Sequence, residues 1–205
     1  MDIKQIFEAS KPAFRPPLEE SFLPAVLYHR AFKQAVGDSG VPVVIGLERE
    51  NGQIFRYETN VLPDEDSERK VNTLRFEANC LHIERLVKFM LWQRGAYKIY
   101  IGGPRLLGEY IANTYAADGI RKFDHHFMGK QVYQKKFEVV CCRADEVPST
   151  LETGYTLGRH LDGCRIGFDL GASDRKVSAV VNGKVVYQGV ADAFGLPYQD
   201  VQTVL

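Results

Sequence analysis

The C-terminal part of the chain carries the strongest constraint on folding, a series of segments in which apolar and polar side chains alternate. Three such segments follow one another from Arg165, and they read RIGFDL, KVSAVV and KVVYQG. Asn182-Gly183 separates the second segment from the third, and this pair favours the backbone of a two-residue type I′ turn. Because period-two alternation is typical of half-buried strands, the sequence predicts a three-stranded antiparallel meander.

The first turn of this meander runs from Gly171 to Asp174, and it follows a carboxylate at Asp169. Small side chains let backbone N–H groups approach an anion closely, and a neighbouring hydroxyl or cation adds charge-assisted hydrogen bonds. Ser173 and Lys176 supply such groups, whereas a carboxylate is a ligand that Mg²⁺ prefers. The pattern favours a site for a metal nucleotide. The alternative is a plain hairpin in which Asp169 and Ser173 cap the turn by local hydrogen bonds.

The phrase GFDLGASDRKVSAVVNGKVVY, from Gly167, resembles the first phosphate motif of the superfamily that includes sugar kinases, actin and heat-shock chaperones. It is most similar to the ROK (repressor, ORF, kinase) group, whose ATPase domain begins with an Asp-x-Gly-Gly-Thr phrase. The resemblance implies ATP and Mg²⁺ as cofactors, with Asp169 near the metal and Lys176 as an additional phosphate contact. It places the nucleotide phosphates around Gly171, Ala172 and Ser173.

The hairpin departs from the ROK pattern at two points. Ala172 stands where ROK kinases prefer glycine, and Ser173-Asp174 replaces the more common threonine-lysine. We expect the additional carboxylate of Asp174 to weaken the approach of a phosphate, because like charges repel. The match covers only about Cys164 to Gly189.

In the ROK-like superfamily, the general base and the adenosine loop come from segments well downstream of this hairpin. The resemblance therefore implies the N-terminal portion of a ROK-like sugar kinase or kinase-derived regulator, with a nucleotide and a sugar as partners. We expect the 205 residues to be inactive alone, and the sequence assigns no catalytic residue. The alternative is a non-catalytic α/β module that binds a small ligand or a protein, in which the hairpin is structural.

The sequence pattern over residues 1–145 predicts a mixed α/β domain. Helical spacing between Glu20 and Val36 precedes two strands, VPVVIGLE and QIFRYETNV, which flank a turn at Asn51-Gly52. A long helix follows, with Asn72 or Thr73 as its expected cap. Next, AYKIYIGG and FEVVCC predict strands on either side of a helix, which is the pattern of a parallel crossover unit.

The predicted fold class is therefore α/β. The chain is predicted to have three parts: a mixed α/β domain over 1–145, a polar linker over 146–163, and the meander over 164–205. The resemblance implies that the meander begins an actin-like ATPase lobe and is incomplete as a nucleotide-binding lobe. An unfinished sheet of this kind exposes an edge, so a homodimer formed through that edge is a further expectation.

A second candidate anion site lies at Gly102-Gly103-Pro104-Arg105, where a strand leads into a helix. The free N–H groups of a helix N-terminus and the helix dipole attract anions. The segment lacks GxGxxG spacing, so it favours dinucleotide binding only weakly. The candidate ligand contacts are Gly103 and Arg105, and a structural turn is the alternative.

Composition limits the partners. Lysine plus arginine and aspartate plus glutamate number 26 each, so no net charge favours nucleic acid as a partner. The first twenty residues contain no continuous apolar run, which predicts a cytoplasmic chain without a membrane partner. The spacing of the four cysteines favours reduced thiols. The run Asp124-His125-His126 is interpreted as a solvated loop in preference to a metal site.

Overall fold

The computed structural model describes residues 3–63, 74–154 and 161–192. Its contacts divide the chain into two units, residues 1–153 and residues 154–205. The first unit contains a four-stranded mixed sheet with helices, and the second contains a three-stranded antiparallel sheet. The predicted α/β class is confirmed at this level. The expected caps Asn72 and Thr73 lie outside the described residues.

The first-unit sheet begins with a hairpin of β1 (Val41–Glu48) and β2 (Ile54–Val61). Its turn places Asn51 at φ 58° and Gly52 at φ 69°, the left-handed region that the Asn-Gly pair predicts. Strand β3 (Lys98–Gly102) pairs antiparallel with β1, and β4 (Glu138–Cys142) pairs parallel with β3. The strand order is β2-β1-β3-β4, and the predicted parallel crossover is confirmed.

Helices pack against the face of this sheet that carries Val43, Ile45 and Ile101. They are α1 (Ile3–Ala9), α2 (Ala25–Val36), α3 (Leu74–Arg94), α4 (Arg105–Thr114) and α5 (Lys122–His126), and a π-helical turn over Phe127–Val132 follows α5. Helix α2 starts later than the predicted Glu20, because a residue before a proline disfavours helical backbone and Pro24 immediately precedes α2. In the described ranges, none of the helices combines the length and apolar character needed to cross a membrane.

A single apolar core joins the helices to the sheet. Its fully buried large side chains include Ile6, Tyr28, Phe32, Ile45, Leu47, Ile83, Leu91, Ile99, Ile101, Leu107, Ile111 and Tyr115. Each such aliphatic or aromatic side chain contributes about 1.5–3 kcal/mol on burial. The sheet is therefore held rigidly, and the ends of β3 and β4 are fixed relative to the start of α4.

The segment after β4 packs on the first unit. Val147 is buried, and its carbonyl oxygen accepts a hydrogen bond of 2.6 Å from Arg56 Nη1. Leu151 forms an isolated antiparallel bridge with Ile54. Residues 146–153, which the sequence analysis assigns to a linker, thus belong to the first unit.

The second unit is the predicted meander. Strands β5 (Cys164–Leu170), β6 (Asp174–Val181) and β7 (Lys184–Asp192) pair antiparallel in sequence order. Positive φ values of 49° at Asn182 and 80° at Gly183 match a type I′ turn between β6 and β7. Asn182 Oδ1 also accepts a hydrogen bond of 2.9 Å from the backbone N–H of Gly163. The three-stranded antiparallel architecture is confirmed.

Candidate functional site

The turn between β5 and β6 exposes the three small residues that the sequence analysis places around a phosphate. Gly171, Ala172 and Ser173 connect the end of β5 to the start of β6, and all three are exposed. Below the turn, Asp169 and Lys176 are direct cross-strand partners. The structure therefore brings these five predicted site residues together at one end of the meander.

Two carboxylates hold the ammonium group of Lys176. Its Nζ lies 3.6 Å from Asp169 Oδ2 and 3.2 Å from Asp174 Oδ2. The hydrogen bond and the negative charge of Asp174, with a smaller effect of Asp169, raise the pKa of Lys176 above its ordinary value. Two carboxylates and one ammonium leave one negative charge in excess, an arrangement that suits an anion only when a cation accompanies it.

The side chain of Asp174 lies close to the start of the turn. A Cβ atom added at Gly171 would lie 2.9 Å from Asp174 Oδ1 and 3.0 Å from the Asp174 carbonyl oxygen. A side chain at position 171 would therefore require Asp174 to shift.

A shallow hollow of about 310 Å³ lies on the meander beside Asp169 and Lys176, and the turn residues 171–173 do not line it. Its lining includes Gly167, Asp169, Lys176, Ser178 and Gln188, which project from β5, β6 and β7. Gly167 lies opposite Ser178, and the missing side chain at Gly167 contributes to the depression. The volume is at the lower end of the range of small-molecule sites.

The second candidate site lies in the first unit, at the carboxyl ends of the parallel strands β3 and β4. A cavity of about 270 Å³ is lined by Gly103, Arg105, Cys142, Arg143 and Glu146, among others. The carboxyl ends of neighbouring parallel strands, beside a helix N-terminus, are a common place for ligands in α/β sheets.

Both arginines at this cavity have acidic partners. Arg105 pairs with Glu109 on the next turn of α4, and Arg143 Nε donates to Asp145 Oδ1 at 3.0 Å. The hydrogen bond from Arg143 to Asp145, with the negative charge of Asp145, raises the pKa of Arg143. These exposed pairs are weak, so an anionic ligand can compete for either guanidinium at small cost.

The sequence analysis identified Gly103 and Arg105 but missed Arg143 and Glu146. Both missed residues follow the strand FEVVCC within four residues of its end. A signal was present, because parallel neighbours in a crossover unit bring their carboxyl ends to one edge. The residues after β4 are therefore expected beside those after β3.

The run Asp124-His125-His126 forms the last three residues of helix α5. Asp124 is buried and accepts hydrogen bonds from Lys88 Nζ at 2.5 Å and Trp92 Nε1 at 2.6 Å. His125 Nδ1 lies 2.9 Å from the carbonyl oxygen of Tyr115. Asp124 thus has a structural role, and the prediction of a solvated loop is wrong for this residue. Over the described ranges, no group of three or more His, Cys, Asp or Glu residues is placed to hold a metal.

The two candidate sites lie in different units, with Gly103 and Arg105 in the first and the hairpin residues in the second. Each site is therefore described by the residues of its own unit alone. Comparison of the chain with protein-family models, with curated proteins and with solved structures found no match of any of the three kinds.

Proposed function

We propose that the chain is the N-terminal portion of a ROK-like sugar kinase or kinase-derived regulator, whose β5–β6 hairpin receives the phosphates of Mg-ATP. One observation carries this proposal. Asp169 and Lys176 face each other directly below a turn made of three small, exposed residues. A carboxylate for a hydrated cation and an ammonium for a phosphate thus adjoin the same turn.

Each hairpin residue has a distinct role in this proposal. The backbone N–H groups of Gly171, Ala172 and Ser173 donate to phosphate oxygens, and the Ser173 hydroxyl adds one more donor. Lys176 contributes positive charge, and Asp169 accepts hydrogen bonds from the water shell of Mg²⁺ or binds the ion itself. Bound Mg²⁺ neutralises phosphate charge, which suits a site that carries one excess negative charge of its own.

The proposed phosphate acceptor is a sugar, as the resemblance to ROK kinases implies. Transfer to a sugar hydroxyl requires a base within hydrogen-bond reach of the substrate. The hairpin groups are assigned to nucleotide binding alone, so we expect the 205 residues to bind Mg-ATP without phosphorylating sugars. Sustained sugar phosphorylation by the purified chain would contradict this part of the proposal.

Titration with Mg-ATP, followed by the amide NMR signals of residues 171–176, tests nucleotide binding. We expect shifts that saturate for the wild-type chain. For Asp169→Asn and Ser173→Ala we expect roughly tenfold weaker binding, since each loses one charge-assisted or hydroxyl contact. Asp162→Asn is a matched control, because Asp162 is an exposed carboxylate beyond the other end of β5. Equal affinity in Asp169→Asn and wild type would overturn the proposal.

A second candidate function is supported by the cavity at Gly103 and Arg105. In this alternative, the first unit is a non-catalytic module that binds a small anionic ligand beside the start of α4, and the meander is structural. The cavity of about 270 Å³ and the two guanidiniums at its mouth are the observations that favour it.

The two functions are distinguished by which amides respond to ligands. Inorganic phosphate and ATP are the probes, and the alternative predicts shifts at Gly103 and Arg105 without shifts in the hairpin. Arg143→Ala should weaken such binding by about tenfold. Arg30→Ala is the matched control, since Arg30 is an exposed arginine on α2 of the same unit. If Arg143→Ala and Arg30→Ala bind the probes equally, the cavity is not the anion site.

A further inference from the structure

Strand β5 forms one edge of the meander in the described part of the chain. All seven of its residues are exposed. Ile166, Phe168 and Leu170 are 65%, 71% and 75% exposed, and their even spacing places them on the same face of the strand. A regular edge strand with apolar side chains presents unpaired backbone groups to another strand, so it promotes pairing between chains.

The opposite edge of the meander is different. The register between β6 and β7 shifts at Ala179 and Val180, whereas β5 and β6 pair through seven residues without a shift. A bulge of this kind bends and twists its strand, which is one way in which proteins protect an edge from pairing. Of the two edges, β5 is therefore the one suited to accept a new strand.

We propose that β5 is an interface at which a second copy of this chain pairs antiparallel to the first, with its two-fold axis at Gly167. In this register, Ile166 lies opposite the partner's Phe168, and Arg165 lies opposite the partner's Asp169. The two copies form one continuous six-stranded sheet. Apolar side chains then meet on one face, and opposite charges meet on the other.

The pattern of β5 selects this register. A slip by one residue would set the apolar face of one strand against the polar face of the other, because side chains alternate with period two. Moving the axis to Ile166 or Phe168 keeps the faces matched but places Arg165 or Asp169 opposite the partner's Gly167. Centring on Gly167 is the arrangement among these that pairs Arg165 with Asp169 twice.

The charged groups lose little when the second copy binds. Arg165 Nη2 lies 3.4 Å from Asp162 Oδ2, and Asp169 Oδ2 lies 3.6 Å from Lys176 Nζ. Arg165 Nη1 also donates a hydrogen bond of 2.9 Å to the carbonyl oxygen of Cys164 within its own strand. Both ion pairs are exposed, and such pairs contribute little to stability. Directly opposed residues on neighbouring strands approach closely, so the intermolecular pairs add to the backbone hydrogen bonds formed along β5.

This interface goes beyond the proposed nucleotide function and does not depend on it. Dimerisation is measured on the full chain without nucleotide, whereas Mg-ATP binding is measured by the hairpin amides, so one can fail while the other holds. The measurement is sedimentation velocity across a wide concentration range. We expect a reversible monomer–dimer equilibrium for the wild type. A chain that stays monomeric throughout overturns the proposal.

Single substitutions test which edge of the meander, β5 or β7, forms the dimer interface. Phe168→Lys should weaken dimerisation at least tenfold, because it sets an ammonium among the apolar side chains of β5. Val186→Lys is the matched control and should leave the dimer unchanged, since Val186 is 39% exposed on the bulged strand β7. If the control weakens dimerisation as much as Phe168→Lys, the interface is not at β5.

Charge exchange tests the register and does not rely on a disruptive variant. Arg165→Asp or Asp169→Arg alone places like charges opposite each other and should weaken dimerisation about tenfold. The double variant restores opposite charges and should recover most of the lost affinity. Circular dichroism shows whether each variant retains its sheet. A folded double variant no tighter than the single variants rules out the Gly167 register.

Discussion

His29 and His82 share a hydrogen bond of 2.8 Å between their Nδ1 atoms, at the interface of α2 and α3. One imidazole must donate and the other accept, so the contact requires the accepting ring to be neutral. His82 is fully buried, its ring stacks on Phe32, and among the described residues its Nε2 has no hydrogen-bond partner. A proton added to either ring would break the shared hydrogen bond or leave a buried charge.

This pair predicts that acid destabilises the first unit. Burial, with the positive charges of Lys33 and Arg85 nearby, lowers the pKa of His29, and burial lowers the pKa of His82 from 6.5 to about 3. Between pH 6.5 and about 3, His82 therefore binds a proton more readily in the unfolded chain than in the folded one. The free energy of unfolding should therefore fall as the pH drops below about 6.5, by roughly 1 kcal/mol per pH unit for each histidine concerned.

Urea unfolding at a series of pH values between 7 and 4 measures this dependence. The variant His82→Phe removes one titrating group and should show a shallower slope than the wild type. His126→Gln is the matched control, because His126 is exposed on α5, and it should keep the wild-type slope. Equal slopes for His82→Phe and wild type would contradict the assignment to this pair.

Asp174→Asn should strengthen the binding of Mg-ATP to the hairpin. The substitution removes the excess negative charge beside the turn and releases Lys176 from the closer of its two carboxylates. We expect affinity to rise about threefold to tenfold, since the site is exposed and charge effects there are partly screened. Calorimetric titration measures the change. Weaker binding in this variant than in the wild type would be evidence against the phosphate role of Lys176.

Asp124→Ala should destabilise the first unit by about 2 kcal/mol. The carboxylate joins α5 to α3 by accepting hydrogen bonds from Lys88 and Trp92, and it is buried. Its loss leaves the indole N–H of Trp92 without this acceptor, while the ammonium of Lys88 can turn toward water. Urea unfolding followed by Trp92 fluorescence measures the loss. Asp38→Ala, at an exposed carboxylate after α2, should change stability little.

Gly102→Ala should disturb the segment that borders the first-unit cavity. An added Cβ would lie 2.5 Å from Val147 Cγ2, 2.8 Å from Ala144 Cα and 2.9 Å from the Arg143 carbonyl oxygen. Backbone atoms cannot move aside independently, so we expect a loss of about 1–3 kcal/mol. Thermal unfolding measures it, with Gly154→Ala as the control because no heavy atom of the described residues lies within 4 Å of its Cβ position. Similar melting temperatures for the two variants would contradict the close contact.

The elements of the fold were largely predictable because their signals are local. Asn51-Gly52 and Asn182-Gly183 adopt the left-handed backbone that hairpin turns require, and Gly37 ends α2 with φ 52°. The strands follow period-two or continuous apolar runs, and the parallel pairing of β3 and β4 follows from the helix between them. The kinase-like function of the hairpin stays a prediction.

The candidate sites were predictable only in part. The sequence identified the hairpin residues because they are neighbours along two paired strands, where Asp169 and Lys176 come together through a short turn. It missed the hydrogen bond of Asp124 to Trp92, the pairing of His29 with His82, and the position of Arg143 beside Arg105. These partners lie 32 or more residues apart.

The sequence by itself determined where strands, turns and helices form, because backbone hydrogen bonding and side-chain alternation depend on residues a few positions apart. Tertiary structure alone decided which polar groups are buried and paired. It buried the carboxylate of Asp124, set two neutral histidines against each other, and left the apolar face of β5 exposed. Burial is a property of the packed chain, since the side chains that exclude water come from distant segments.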